Sequence, residues 1–272
     1  MWTLSGFSDE ISPDFTEQCE VATGLGLRYL EVRSAWDVNI LDLSADQLAT
    51  MRETLSRYGL KVSSIGSPIG KIPIDDDFGP HLERMRHAAE VAKLLEAPYI
   101  RIFSFFLTDP AAHRAEVIER MRALVRVAEQ ADLILLHENE KEIYGDVPAR
   151  CLDLIRSVGS PYLRLAWDPA NFVQVGVRPY TDGYAMLRPH VEYVQIKDAL
   201  FADGTVVPAG AGDGEVAATI RALRHDGFDG FFSLEPHLAS GHAYGGYSGP
   251  ELFRTAWQAF TGLLKKEEIE YA

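Results

Sequence analysis

Cysteine is scarce in this 272-residue chain. The two present, Cys19 and Cys151, lie far apart and form no CxxC or zinc-ribbon spacing, which argues against a disulfide framework or a cysteine-held metal. Each reads as a small apolar filler on a helix face, and a reducing cytoplasm fits that usage. Long apolar runs are also missing, none approaching the roughly 20 residues of a membrane helix. The opening MWTLSGFSDEIS lacks a basic stretch followed by an apolar one, so no secretory leader is expected. Positive charge is outnumbered, 26 Lys and Arg against 40 Asp and Glu, for a net charge of −14. A nucleic-acid surface needs clustered basic residues, so that balance points away from one. Linkers and low-complexity segments are absent too. Residues 1–272 therefore read as one domain, with a fraying tail at about 266–272 in KKEEIEYA.

What is present is a repeated pattern. Strand-like runs occur at Trp2 to Phe7, Arg28 to Arg33, Leu60 to Ile65, Tyr99 to Phe103, Leu133 to Glu138, Tyr162 to Trp167, Val191 to Ile196 and Gly230 to Leu234. Amphipathic helical stretches lie between them, the first opening after Ser12-Pro13 as N-cap and first turn. Others run over 44–58, 81–95, 109–129, 147–157, 215–225 and 250–265. Alternating strand and helix means βαβ units and a parallel sheet. Eight such units in a chain of this length predict a single (β/α)8 TIM barrel.

The run LILLHENEKE, residues 133–142, is the most informative stretch. Four aliphatics fit a strand buried on both faces, and they stop abruptly at His137, Glu138, Asn139 and Glu140. The same change recurs at Asp168, Gln195 and Glu235, after LRLAW, VEYV and FFSL. In a barrel the C-terminal strand ends share one face, so four consecutive strands aim Glu138, Asp168, Gln195 and Glu235 at one place. Three crowded carboxylates repel one another at low dielectric. A bound divalent cation relieves that, and an oxygen-rich ligand set favours Mg²⁺ or Mn²⁺, with Co²⁺ or Zn²⁺ as further options.

Eight strings in order, FSDEIS, YLEVR, SPIGK, RIFSF, HENE, WDPANF, VQIKDA and SLEPH, resemble the xylose-isomerase-like sugar isomerase/epimerase superfamily over essentially the whole chain. The resemblance implies a TIM barrel with one divalent metal held by Glu, Asp, His and Glu from strands five to eight. Glu138, Asp168 and Glu235 match three of those ligands, and the two glutamates match the family's proton-transferring pair. Two departures stand out: Gln195 replaces the histidine of an HxKD motif, and Asn171 replaces the histidine of Asp-x-x-His. Gln195 can ligate through its amide oxygen. His237, two residues beyond Glu235 and so on its strand face, can substitute for it. Alternatively the metal site has weakened and the function drifted.

The implied chemistry is proton transfer next to the carbonyl of a small sugar, sugar phosphate or polyol through an enediolate, giving epimerisation or aldose–ketose isomerisation. Loss of hydroxide would give instead a dehydratase of an inosose-type keto-polyol. A non-catalytic sugar-binding protein with a degraded metal site is the reading from another class. The superfamily's abasic-site endonucleases need a histidine-rich three-zinc site, whose histidines are missing here. Among other residues, Lys197 shares the face of Gln195 and is assigned to the substrate site. Asn171 reads as a substrate hydrogen-bonder or helix cap. Arg101 and Lys71 are candidate phosphate or carboxylate binders, and Glu31 and Arg33 either pair inside the barrel or touch substrate. His137 is expected in a second layer, and Phe103, Phe105 and Phe106 in a pocket wall or the core. The Gly- and Tyr-rich segment from Ser240 to Pro250 is a candidate lid. A homo-oligomer is compatible with the sequence, and neither a nucleic-acid nor a membrane partner is expected.

Overall fold

The computed structural model of the protein describes residues 1–239 and 248–272. Eight parallel strands form the barrel: β1 Thr3–Gly6, β2 Tyr29–Val32, β3 Lys61–Gly66, β4 Tyr99–Ile102, β5 Ile134–Glu138, β6 Leu163–Trp167, β7 Val191–Ile196 and β8 Phe231–Leu234. Around them lie α1 Phe15–Gly24, α2 Ala45–Tyr58, α3 Phe78–Leu94, α4 Pro110–Ala131, α5 Pro148–Val158, α6 Pro169–Gln174, α7 Val216–His225 and α8 Gly249–Lys266. The sheet runs β1-β8-β7-β6-β5-β4-β3-β2. It closes through a parallel pairing of Phe7 with Glu31, so the expected (β/α)8 barrel is what forms.

Period-two alternation sorts the side chains of each strand. Leu135, Leu165, Val194, Phe232 and Leu234 face the helices and join the main core. The opposite parity faces the axis and changes character with height. At the N-terminal end, Phe231 packs against Tyr29, Tyr99 and Tyr193 with ring centroids 5.0, 6.1 and 5.6 Å apart. Leu136 and Ala166 join Tyr193 in an apolar plug. Above it comes a neutral polar layer, in which Ser63 Oγ lies 2.7 Å from Ser5 Oγ and 2.9 Å from the Tyr193 hydroxyl. The charged residues of the candidate site begin above that, while Arg164 and Glu192, 3.4 Å apart, lie at the opposite end, where Glu192 accepts from the Tyr99 hydroxyl at 3.2 Å. An apolar plug below and polar side chains above make the C-terminal face the polar end of the axis.

Two local expectations are corrected. The first helix is capped by Asp14, whose side chain accepts from Glu17 N, and not by Ser12. Ser12 instead accepts from Asp14 N at 3.1 Å and donates to Glu17 at 2.6 Å, fixing the bend that precedes the cap. Nor is the segment after α8 a fraying tail. Ile269 is buried, Ala272 N donates to Trp2 O at 2.8 Å and Leu4 N donates to Ala272 O at 2.9 Å. These bonds satisfy backbone groups of β1 below the point where it meets β2.

No described helix is long and apolar enough to cross a membrane.

Candidate metal and proton-transfer site

Above the polar layer, the strand ends bring together the residues singled out by alternation. Glu138 closes β5, Asp168 follows β6, Lys197 follows β7 and Glu235 follows β8; all four are buried. One oxygen from each of Glu138, Asp168 and Glu235 lies within 4.8 Å of the others. Asp168 does two jobs with its two oxygens. Its Oδ1 caps α6 by accepting from Asn171 N at 2.9 Å, which leaves Oδ2 for Lys197 Nζ at 2.8 Å. The same ammonium lies 2.8 Å from Glu235 Oε2. Asn139 fixes this corner by exchanging two 2.9 Å hydrogen bonds with the Asp168 backbone.

Two guanidinium groups complete the charge balance. Arg101 Nη1 approaches Glu138 Oε2 at 3.1 Å and Glu235 Oε1 at 3.6 Å. Arg33 Nη1 lies 3.3 Å from Glu235 Oε1, and its Nε donates to Asp9 at 2.8 Å. His237 Nε2 stands 3.0 Å from Glu10 Oε1 and 3.3 Å from Glu235 Oε1. The two glutamates consequently differ. Burial, only partly offset by Arg101, pushes the Glu138 carboxyl up to about 8. Burial opposes ionisation of Glu235 as well, yet Lys197, His237 and Arg101 together hold it well below the ordinary carboxylate range. Two carboxyls in one cavity with opposite protonation are a pair able to give and take a proton. Lys197 stays charged, because its carboxylate neighbours outweigh the penalty of burial.

The cavity over these groups has a volume of about 240 Å³ and is lined in part by Glu138, Lys197, Glu235, Asn171 and His237. A larger one, about 590 Å³, opens near the other end of the barrel around Tyr29, Lys61 and Phe231. It holds no cluster of carboxylates, so the chemistry belongs to the smaller one. Asn171 is not a helix cap; from the first turn of α6 its side chain donates to Glu138 Oε1 at 3.1 Å. Gln195 is buried beside Ser233 and donates to Glu31 Oε2 at 3.1 Å, while its Oε1 has no hydrogen-bond partner among the described residues. Glu31 and Arg33 do not pair with each other in these contacts: Glu31 takes Gln195, and Arg33 takes Asp9, Glu10 and Glu235. Phe103 lies under the Lys71 ammonium and the Arg101 guanidinium. Phe105 turns away, packing with Phe78 and His81. Of the candidate lid, residues 240–247 lie outside the described residues.

Lys71 reaches the cavity from a tightly held loop. Gly70 has φ +88°, and a Cβ there would fall 2.0 Å from the Phe103 carbonyl oxygen, a position open only to glycine. Gly70 N donates to His81 Nε2 at 2.7 Å, so the imidazole must be neutral at that atom. Burial pushes His81 down to about 4. His137, in its expected second layer and 2.9 Å from Ser104 Oγ, is pushed to about 3. Unfolding frees both to take protons that the folded chain refuses. The contribution of these two histidines to stability is therefore full above about pH 6.5 and falls below it, by up to about 1.4 kcal/mol per histidine per pH unit, against the opposite drift of raised carboxyls such as Glu138. Urea melts between pH 7 and pH 5 check this: His81→Gln, which keeps an acceptor for Gly70, should flatten the slope, and an unchanged slope would contradict it.

Sequence reasoning passed over Asp9, Glu10 and Phe7. All three sit in FSDEIS, within or beside the turn after β1; the closed barrel brings Asp9 and Phe7 to Arg33, and Glu10 to His237, 227 residues away. Nothing in local periodicity marks such a contact. Lys141, Glu140 and Gln174 line the cavity too; the abrupt polarity of HENEKE was the available signal for the first two.

Residues 19–259 match the family described as xylose isomerase-like TIM barrel, and the chain belongs to that family. A 2-epi-5-epi-valiolone 7-phosphate 2-epimerase from Actinoplanes sp. is 31% identical over 139 residues, 50% of this chain and 49% of the relative. The chain thus matches about half the length of that curated relative. A xylose isomerase-like TIM barrel protein from Mycobacterium smegmatis, in complex with magnesium, superposes with a TM-score of 0.69 at 21% identity, covering 97% of each chain. The probable 3-DHS dehydratase AsbF of petrobactin synthesis from Bacillus anthracis gives 0.75 at 20% identity, covering 96% of this chain and 98% of its own. At such identities the superpositions speak for the fold alone.

Proposed function

We propose that this protein is a divalent-metal-dependent isomerase or epimerase of a small sugar or polyol, moving a proton next to a carbonyl. The observation that carries the reading is the trio Glu138, Asp168 and Glu235, buried with oxygens within 4.8 Å of one another. The donor set fits a hard cation, since all three are carboxylates. Asp168 Oδ2 meets only the Lys197 ammonium, at 2.8 Å. These three would hold the ion, and we assign Gln195, through its unengaged Oε1, the remaining position that histidine fills in the family pattern. Bound there, Mg²⁺ or Mn²⁺ supplies positive charge where an enediolate develops its negative charge.

The rest falls to the chain's own groups. Glu138 and Glu235 rise from different strands and face one cavity, so one removes a proton and the other returns one. Asn171 holds Glu138 Oε1 at 3.1 Å and Lys197 holds Glu235 Oε2 at 2.8 Å, fixing each carboxyl in direction. The metal-capable cluster contains no histidine, unlike the three-zinc site of an endonuclease. A dehydratase is the second reading, since the same scaffold and enediolate chemistry allow loss of hydroxide; the probable 3-DHS dehydratase AsbF shares the fold.

Metal analysis after reconstitution with Mn²⁺, Mg²⁺, Co²⁺ and Zn²⁺, followed by incubation with ketoses in D₂O, tests the proposal. About one ion per chain and deuterium at the carbon next to the carbonyl are expected. Water loss from a keto-polyol without epimer formation would select the dehydratase. No bound ion at millimolar supply and no deuterium uptake would sink both readings.

A further inference from the structure

Glu10 stands behind the cavity wall, yet it holds a residue that forms that wall. It ends the short 3₁₀ turn Ser8–Glu10 after β1 and is fully buried. Its backbone carbonyl accepts from Ser248 N at 3.1 Å. On its side chain, Oε2 accepts from Ser248 Oγ at 2.7 Å and from His237 N at 3.0 Å. Oε1 lies 3.0 Å from His237 Nε2 and 3.8 Å from Arg33 Nη2. Strands β1 and β8 are paired, so this one carboxylate spans the ground between their exits and grips His237 at both backbone and ring.

His237 needs that grip. Its φ is +47°, in the left-handed region that a residue with a Cβ enters only at a cost. Such a conformation persists where contacts on several sides impose it. What the turn achieves is a ring position: the same Nε2 that faces Glu10 lies 3.3 Å from Glu235 Oε1. A nitrogen between two carboxylate oxygens, which only accept, has to carry its hydrogen. The neutral ring is thereby committed to the Nε2–H tautomer. Glu235 is offered a donor on Oε1, while Lys197 holds Oε2 at 2.8 Å.

We infer that Glu10 is a positioning residue for the proton-transferring pair, fixing the direction of the Glu235 carboxyl through His237. This rests on the isomerase reading above and extends it to a residue behind the cavity wall. Arg33 and Arg101 reach Glu235 from the sides of β2 and β4, and Lys197 from the side of β7. His237 closes the set from the exit of β8. A base must present one oxygen to one particular C–H bond, and misplacing it by about 1 Å costs on the order of 10²-fold in rate.

Glu10→Gln tests this with little change of shape. Oε2 already takes two donors, so the amide oxygen belongs there and the amide NH₂ falls opposite His237 Nε2. Two donors would then face each other. The ring must move its hydrogen to Nδ1 or turn away, and in both cases Glu235 loses its donor. Ring ¹⁵N spectra of the neutral imidazole read this without any substrate. Nε2–H is expected in the original protein, and Nδ1–H or a mixture in Glu10→Gln; a merely structural role would leave the tautomer unmoved. The same tautomer in both proteins overturns the inference. Nδ1–H in the original protein overturns it even if Glu10→Gln does not fold.

Deuterium uptake into an accepted ketose is then compared in Glu10→Gln, His237→Asn and the double variant. Asparagine tolerates positive φ but is too short to reach Glu235. Each single change should lower kcat about tenfold with KM within about twofold, and the double variant should fall no further than His237→Asn alone, as two residues acting as one unit do. Independent losses, about a hundredfold together, would overturn the inference. A moved tautomer with no deuterium uptake in any protein would remove the isomerase reading and leave the hold on Glu235 standing. Undiminished uptake in Glu10→Gln would do the reverse.

Discussion

Glu235→Gln is expected to lower turnover by about 10³-fold while leaving the barrel folded. Removing one proton-transferring carboxylate typically costs 10²- to 10⁴-fold, hence the order of magnitude. Glu235 is also the hub of the site's charges: Lys197 at 2.8 Å, Arg33 and His237 at 3.3 Å and Arg101 at 3.6 Å all converge on it. A neutral amide of the same shape keeps the packing but leaves those four groups short of one negative charge. The bound ion should be lost along with the activity, and unchanged far-ultraviolet circular dichroism would exclude unfolding as the cause. Turnover within tenfold of the original would remove Glu235 from the chemistry.

Lys197→Met is expected to act on stability first. The ammonium bridges two carboxylate oxygens with no water between, and taking one partner from a buried ion cluster costs about 3–5 kcal/mol. On the proposed reading an ion would draw on the Asp168 and Glu235 carboxylates that Lys197 now holds at 2.8 Å. A divalent cation should therefore stabilise the variant more than the original protein, because it no longer has to displace a resident charge. Melting temperatures with and without Mn²⁺ measure this directly. An equal rise in both proteins would mean that Lys197 and the ion do not share ligands. Lys197→Gln, which keeps a donor for one oxygen, offers a milder variant should the methionine form prove too unstable to purify.

Much of this site was legible in the sequence because strand alternation is a strong constraint. Once LILLHE, LRLAWD and FFSLE are read as strands, the parity that buries Leu135, Leu165 and Leu234 against helices also sends Glu138, Asp168 and Glu235 to the axis. Lys197 followed by the same count. Alternation is weaker beyond a strand's end. His237 was placed on the face of Glu235 by period two, but the strand stops at Leu234 and His237 has φ +47°. Its ring reaches Glu235 because Glu10 holds both its backbone N–H and its Nε2. Contacts made by closing the barrel, such as Arg33 with Glu235, have no local signature at all. The cap at Asp14 in place of Ser12 was a choice between two good capping residues two positions apart, which composition alone does not decide.

The carboxylates at the ends of β5, β6 and β8, and Lys71 and Arg101 stacked on Phe103, divide the cavity into a carboxylate side and a cationic side and give it a direction. On the proposed reading, a chain molecule with one anionic end would lie in it in one sense, presenting the same carbon to the two glutamates. A molecule charged at both ends would lie equally well in either sense, and two different carbons would be offered for reaction. Regiochemistry is then written into the polarity of the walls before any hydroxyl is recognised, and a single product from each singly charged substrate is the outcome that polarity dictates.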